Sequence, residues 1–137
     1  MDEGVRFTNG YVAHGVSGPS RAAIMTGRAP ARFGVYSNTD AQDGIPLTET
    51  FLPELFQNHG YYTAAVGKWH LSKISNVPVP EDKQTRDYHD NFTTFSAEEW
   101  QPQNRGFDYF MGFHAAGTAY YNSPSLFKNR ERVPAKG

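Results

Sequence analysis

One junction constrains this chain more than any other. Phe51, Leu52, Leu55 and Phe56 recur at helical spacing, Gly60 cuts the pattern off, and an apolar run over residues 61–66 follows at once, closed by Gly67. A helical stripe that passes straight into a buried-strand run belongs to a layered α/β arrangement, because each element needs the other to cover its apolar face. The pattern predicts a helix over residues 48–59 with Thr48 as its N-cap and Pro53 in its early turns, then a strand over 61–66.

The flanking segments extend this reading. Residues 5–12 alternate, with Val5, Phe7 and Tyr11 on one side, and read as a strand. Residues 15–19 form a turn, and residues 20–26 a helix stopped by Gly27, with Pro19 suited to a first helical turn. Residues 28–47 are irregular, punctuated by Pro30, Gly34, Gly44 and Pro46. Residues 72–104 carry many charges, three prolines and little periodicity, which marks a long loop or an insertion. Residues 107–113 are aromatic-rich and fit either a strand or a packed loop. No leader with an apolar h-region opens the chain and its end is polar, so it has the look of part of a larger domain.

Composition narrows the function classes. The 137 residues carry 13 basic and 14 acidic side chains, a balance that leaves no footprint for nucleic acid or an anionic membrane. No apolar run approaches the roughly 20 residues that span a bilayer. With no cysteine, a disulfide framework, a Cys-ligated zinc and a Cys nucleophile are excluded. Aromatics reach 15%, enough to argue for a packed core rather than a disordered chain.

Four places could carry chemistry. In the first, Ser17-Gly18-Pro19-Ser20-Arg21 puts a hydroxyl at a helix start, where free N–H groups and the helix dipole favour an anion, and Arg21 stands one turn further in. The plainer alternative is a capping serine and a surface arginine. A serine-hydrolase elbow begins at Gly15-Val16-Ser17-Gly18, but Pro19 stands where its last glycine is needed. In the second, Gly67-Lys68-Trp69-His70 sets a cation and an imidazole at the C-terminal end of a strand, the edge where open α/β sheets place ligands. A solvated lysine and a hydrogen-bonded histidine are the alternative. In the third, Asp87, His89 and Asp90 have metal-ligand chemistry but lie in a polar stretch that reads as a solvated loop. In the fourth, residues 105–113 read as packing, with Asp108 bonding a cation or local backbone. His14 and His59 read as surface or structural, and His114 is open to either reading.

Taken in order, these segments resemble the type I sulfatases. The first family signature is a Cys or Ser, any residue, Pro, Ser and Arg, then a helix ending in Thr, Gly and Arg. Ser17, Pro19, Ser20, Arg21, Thr26, Gly27 and Arg28 match it. Gly60, Tyr61, Thr63, Gly67, Lys68, Trp69, His70 and Leu71 match the second, and Gly106-Phe107-Asp108 a frequent third block. The resemblance covers most of residues 3–125 and outweighs the plainer readings of Ser17, Arg21, Lys68 and His70.

The resemblance implies an alkaline-phosphatase-like sandwich, a mixed sheet with helices on both faces, of which residues 1–137 form part of the N-terminal catalytic domain. It implies that Ser17 is converted to formylglycine by a radical maturase. The hydrated aldehyde then attacks the sulfur of an aryl or carbohydrate sulfate, and its second hydroxyl collapses to expel sulfate. By the same resemblance Ser17 is also a ligand of Ca²⁺, Arg21 holds the diol, Lys68 contacts sulfate oxygens, and His70 bonds the diol or assists its collapse. Other metal ligands of the family have no counterpart among these residues, so the isolated chain is expected to be inactive. The parent protein is expected to be periplasmic or secreted. A phosphate or phosphonate ester hydrolase of the same superfamily, or a non-catalytic remnant, are the alternatives.

Overall fold

The computed structural model describes residues 3–76, 94–121, 123 and 125–133. In chain order the elements are α1 (Ser17–Thr26), a 3-10 turn (Pro30–Phe33), α2 (Asn38–Gln42), α3 (Leu52–Asn58), β1 (Ala64–Lys68), β2 (Ile74–Asn76) and β3 (Thr94–Ser96). Two further 3-10 turns (Glu98–Trp100 and Pro102–Arg105), β4 (Tyr109–Phe113), β5 (Phe127–Lys128) and β6 (Glu131–Arg132) complete the order.

The result is a mixed α/β layer. The main sheet runs β1-β4-β5-β6, with β1 and β4 parallel and the later pairs antiparallel. β2 and β3 form a separate antiparallel pair, so the predicted irregular stretch over 72–104 carries short elements in its described parts. The parallel register brings Gly67 beside Gly112. Gly67 has φ +103°, and a Cβ on Gly112 would overlap the Gly67 carbonyl, so the two backbones meet at a distance only glycine permits.

The core gathers Ala22 of α1, Ala41 of α2, Phe51 at the start of α3, and Trp69, Leu71, Phe107, Phe110 and Phe127 from the sheet region. Trp69 packs on Phe51 and Phe107, with ring centroids 6.0 and 5.9 Å away, and donates its indole N–H to the Trp100 carbonyl at 2.9 Å. Trp100 donates in turn to Ile45, and Arg105, 2% exposed, donates to the Ile45 and Glu49 carbonyls while lying over the Phe51 ring. This web ties the segment after α2 to the start of α3, to the chain just past β1 and to the 3-10 turns before β4.

Several expectations need correction: residues 28–47, read as irregular, hold a 3-10 turn and α2, and the strand read over 61–66 runs Ala64–Lys68, through Gly67. Residues 5–12 are not a strand: no described element pairs with them, and Val5, Phe7 and Tyr11 are 83%, 83% and 92% exposed. Alternation supplies a face, but a strand also needs a partner to take its backbone hydrogen bonds. The third helix runs Leu52–Asn58 with Phe51, not Thr48, as its N-cap. Thr48 sits in a turn, and the Glu54 carboxylate reaches back to accept from the Phe51 N–H. The stripe of that helix is not fully covered, because Phe51 is buried while Leu52, Leu55 and Phe56 stay about half exposed. Leu52 and Phe56 flank an open apolar cleft beside β1 that also meets Met25, Tyr62 and Val66.

Candidate active site

The first helix begins at Ser17, three residues earlier than the spacing predicts, with Val16 as N-cap and Gly27 closing it at φ +65°. The early start is a tertiary effect. Val16 offers no capping side chain, and Asn38 of α2 supplies one from a distance, accepting from the Gly18 N–H at 2.7 Å. Helical geometry then sets Ser17 and Arg21 on one face, four residues apart, and Arg21 Nε donates to Ser17 Oγ at 3.1 Å.

β1 delivers the second half of the site. Asp108 anchors its entry, accepting from the Thr63 backbone N–H at 2.8 Å and the Thr63 hydroxyl at 3.0 Å, and those bonds hold its carboxyl below the usual carboxylate range. The sequence reading offered a cation or local backbone as the partner of Asp108; the structure instead bonds it to Thr63, 45 positions away. At the other end of the strand, Arg21 Nη1 donates to the Lys68 carbonyl at 2.6 Å, so one guanidinium joins α1 to β1. Trp69, sunk in the core, pins the chain between Lys68 and His70.

His70 is 2% exposed and has φ +56°, a left-handed conformation that costs a side-chain-bearing residue about 1–2 kcal/mol. Neither ring nitrogen has a hydrogen-bond partner among the described residues. Burial pushes its imidazole down to about 4, with the positive charges of Lys68 and Arg21 adding to the effect. Burial, and then the Arg21 charge, also lower the Lys68 ammonium. Arg21 thus links Ser17 to the Lys68 backbone, and the charges of Lys68 and Arg21 reach the His70 ring. The site couples two cations with a hydroxyl and a neutral imidazole, an arrangement that attracts an anion with several oxygens.

The remaining candidates separate from this cluster. Asp87, His89 and Asp90 lie outside the described residues. His14 Nδ1 accepts from the Val16 N–H, and His59 bonds the Leu55 carbonyl, so both serve local backbone. His114 is buried and bonded to Ser96. Sequence reasoning missed Asn38, because a cap supplied from another helix leaves no local motif.

The comparisons with known proteins follow the same residues. The family model described as Sulfatase matches residues 1–134. The chain belongs to the sulfatase family. It is 39% identical over 112 residues to the arylsulfatase of Hemicentrotus pulcherrimus, covering 78% of this chain and 17% of that protein. It is 37% identical over 130 residues to arylsulfatase G of Homo sapiens, covering 89% of this chain and 20% of that one. Among solved structures, Ps i-CgsB in complex with k-i-k-neocarrahexaose superposes with TM-score 0.67 and 28% identity, over 90% of this chain and 28% of that one. The mixed sheet with helices is therefore the alkaline-phosphatase-like arrangement of sulfatases, and this chain spans about a fifth of the length of the curated sulfatases it matches.

The sulfatase family implies a metal, and Ca²⁺ sets a demanding requirement for its ligands. That ion takes 6–8 oxygen ligands. Among the described residues no group of three or more His, Asp or Glu side chains could hold a metal. Ser17 stands without companions for that role, and the described residues alone do not make a calcium site.

Proposed function

We propose that this chain is part of a sulfuric ester hydrolase whose reacting group forms at Ser17. The observation that carries the reading is the pair of hydrogen bonds that Arg21 donates, to Ser17 Oγ and to the Lys68 carbonyl, which joins the two family signatures into one cationic site. Formylglycine made from Ser17 supplies, once hydrated, a diol that attacks sulfur, releases the alcohol and then collapses to release sulfate. Arg21 orients the Ser17 side chain and offsets negative charge there. Lys68 binds the sulfate oxygens, where a positive charge counts most as charge builds on the leaving oxygen. His70, neutral at ordinary pH, can take a proton from a hydroxyl and return it. Calcium enters none of these steps.

The proposed partners are an aryl or carbohydrate sulfate and the radical maturase that oxidises Ser17, in an exported parent protein. No described helix is long and apolar enough to cross a membrane.

The test is the mass of the tryptic peptide spanning residues 7–21, from protein made alongside the anaerobic maturase. A peptide lighter by two hydrogens, trapped by a hydrazine, is the expected result. An unmodified Ser17 under conditions that convert a control sulfatase overturns the reading.

A further inference from the structure

A second cluster of polar side chains lies in the interior, apart from the Ser17 cluster. Ser72, Ser96 and His114 come from three segments: the chain just past His70, strand β3, and the residue after β4. Their exposures are 4%, 1% and 5%. Ser96 Oγ lies 2.7 Å from His114 Nδ1, and Ser72 Oγ is in hydrogen-bond contact with Ser96 Oγ. The His114 ring is met edge-on by Phe110 and Phe127, at centroid distances of 5.2 and 4.7 Å. Burial pushes its imidazole down to about 4, so the ring is neutral and can accept a hydroxyl proton at Nδ1. The two hydroxyls can therefore run head to tail, Ser72 to Ser96 to His114.

Burial keeps these three groups from substrate, so they are not a second nucleophilic site. What they adjoin is the backbone of His70. The His70 N–H donates to the His114 carbonyl at 2.9 Å, and the Trp69 N–H to the Phe113 carbonyl at 2.9 Å, which carries the β1–β4 pairing past the strand ends. Ser72 follows His70 by two residues. His70 is thus bracketed by both ends of the hydroxyl–imidazole chain, and it is the residue held at φ +56° with no side-chain bond of its own among the described residues. A ring without bonds is aimed by its backbone and its packing.

We propose that Ser72, Ser96 and His114 are positioning residues that hold the His70 backbone in its left-handed conformation and so aim the imidazole at Ser17, Arg21 and Lys68. The inference rests on the reading of His70 as a group of that site. It explains why buried hydroxyls occur at 72 and 96, where apolar side chains would pack as well: a hydrogen-bonded chain fixes direction, which apolar contacts do not.

The test uses the full 137-residue chain and nuclear magnetic resonance of its histidine rings and amides. Ser96→Ala is expected to speed amide exchange at His70 by about tenfold or more while the Asp108 amide, bonded to Thr63 across the sheet, exchanges as before. The ring signals of His70 shift or double in the same variant, and Ser96→Thr, which keeps the hydroxyl, restores them. A uniform acceleration of all amides, or unmoved His70 signals, overturns the proposal by reducing the cluster to core stability. If Ser96→Ala fails to fold, Ser72→Ala removes the outer hydroxyl and decides by the same readouts. The peptide-mass test on the unaltered chain is independent: an unmodified Ser17 together with a displaced His70 ring removes the sulfatase chemistry and leaves the positioning intact.

Discussion

Arg21 Nη1 donates to the carbonyl of Lys68 at 2.6 Å, across 47 positions of sequence. Its Nε meanwhile holds Ser17 Oγ, so one planar group fixes the distance between the helix that carries the hydroxyl and the strand that carries the ammonium. A lysine at this place would keep the charge and lose the fork, since an ammonium on a flexible stem cannot serve both acceptors in fixed geometry. Arg21→Lys is expected to lower stability by about 1.5–3 kcal/mol, the usual range for charge-assisted bonds. Urea unfolding checks this, and a wild-type midpoint would show that the two bonds do not tie the elements together.

The glycine pair between β1 and β4 makes a sharper claim. A methyl on Gly112 has no room, because the Gly67 carbonyl occupies its position and belongs to backbone rather than to a side chain that can turn away. Gly112→Ala is expected to cost about 3 kcal/mol, the upper part of the range for overpacking. It should also shift the amide signals of residues 64–68, the β1 partner in register. An unchanged unfolding midpoint would contradict the close approach.

Acid should unfold the chain through its buried imidazoles. His70 and His114 are both held at about 4, against 6.5 for a free side chain. Between those values the unfolded chain binds protons that the folded chain refuses, so stability present above pH 6.5 is lost as pH falls towards 4. The loss levels off below that. A shift of this size corresponds to about 3 kcal/mol for each ring at most, by the usual conversion. Denaturant midpoints at pH 7, 5.5 and 4 should fall steeply, and a flat series would show that the rings accept protons in place.

Arg105 behaves as a core residue. Its guanidinium donates to the Ile45 and Glu49 carbonyls, lies 3.7 Å from the Phe51 ring centroid, and is pushed by burial below its usual range, with Glu54 and Glu49 opposing. Arg105→Ala would leave a void and an unpaired Glu49 carbonyl. The expected loss is about 3–5 kcal/mol, the range for removing a buried large or charged partner. Thermal unfolding of the variant against Arg130→Ala, a half-exposed arginine bonded to Gln101 and Asn104, checks that burial and not charge is responsible.

Much of the site was legible before any coordinates. Ser17 at a helix start with Arg21 one turn further in, and Lys68 with His70 at a strand's end, are each read from one short segment, although the helix takes in Ser17 and the strand runs Ala64–Lys68 through Gly67. These are short-range relations, and the signatures that resemble the sulfatases are built from them. The helix stop at Gly27 is equally local, because only the residue at that point has to adopt a left-handed turn.

The rest depended on partners far away in sequence. Residues 5–12 have the alternation of a strand but no neighbour to bond among the described residues, so pattern alone misled there. The start of α1 moved back to Ser17 because Asn38, twenty positions on, satisfies a helix N–H that no nearby side chain reaches. The neutrality of His70 is decided by burial and by two cations that only folding brings close. The order of residues sets which chemical groups exist and which of them share a turn. Tertiary structure alone decided their solvent exposure, their charge state and their direction, because those depend on what surrounds a group and not on what precedes it in the chain.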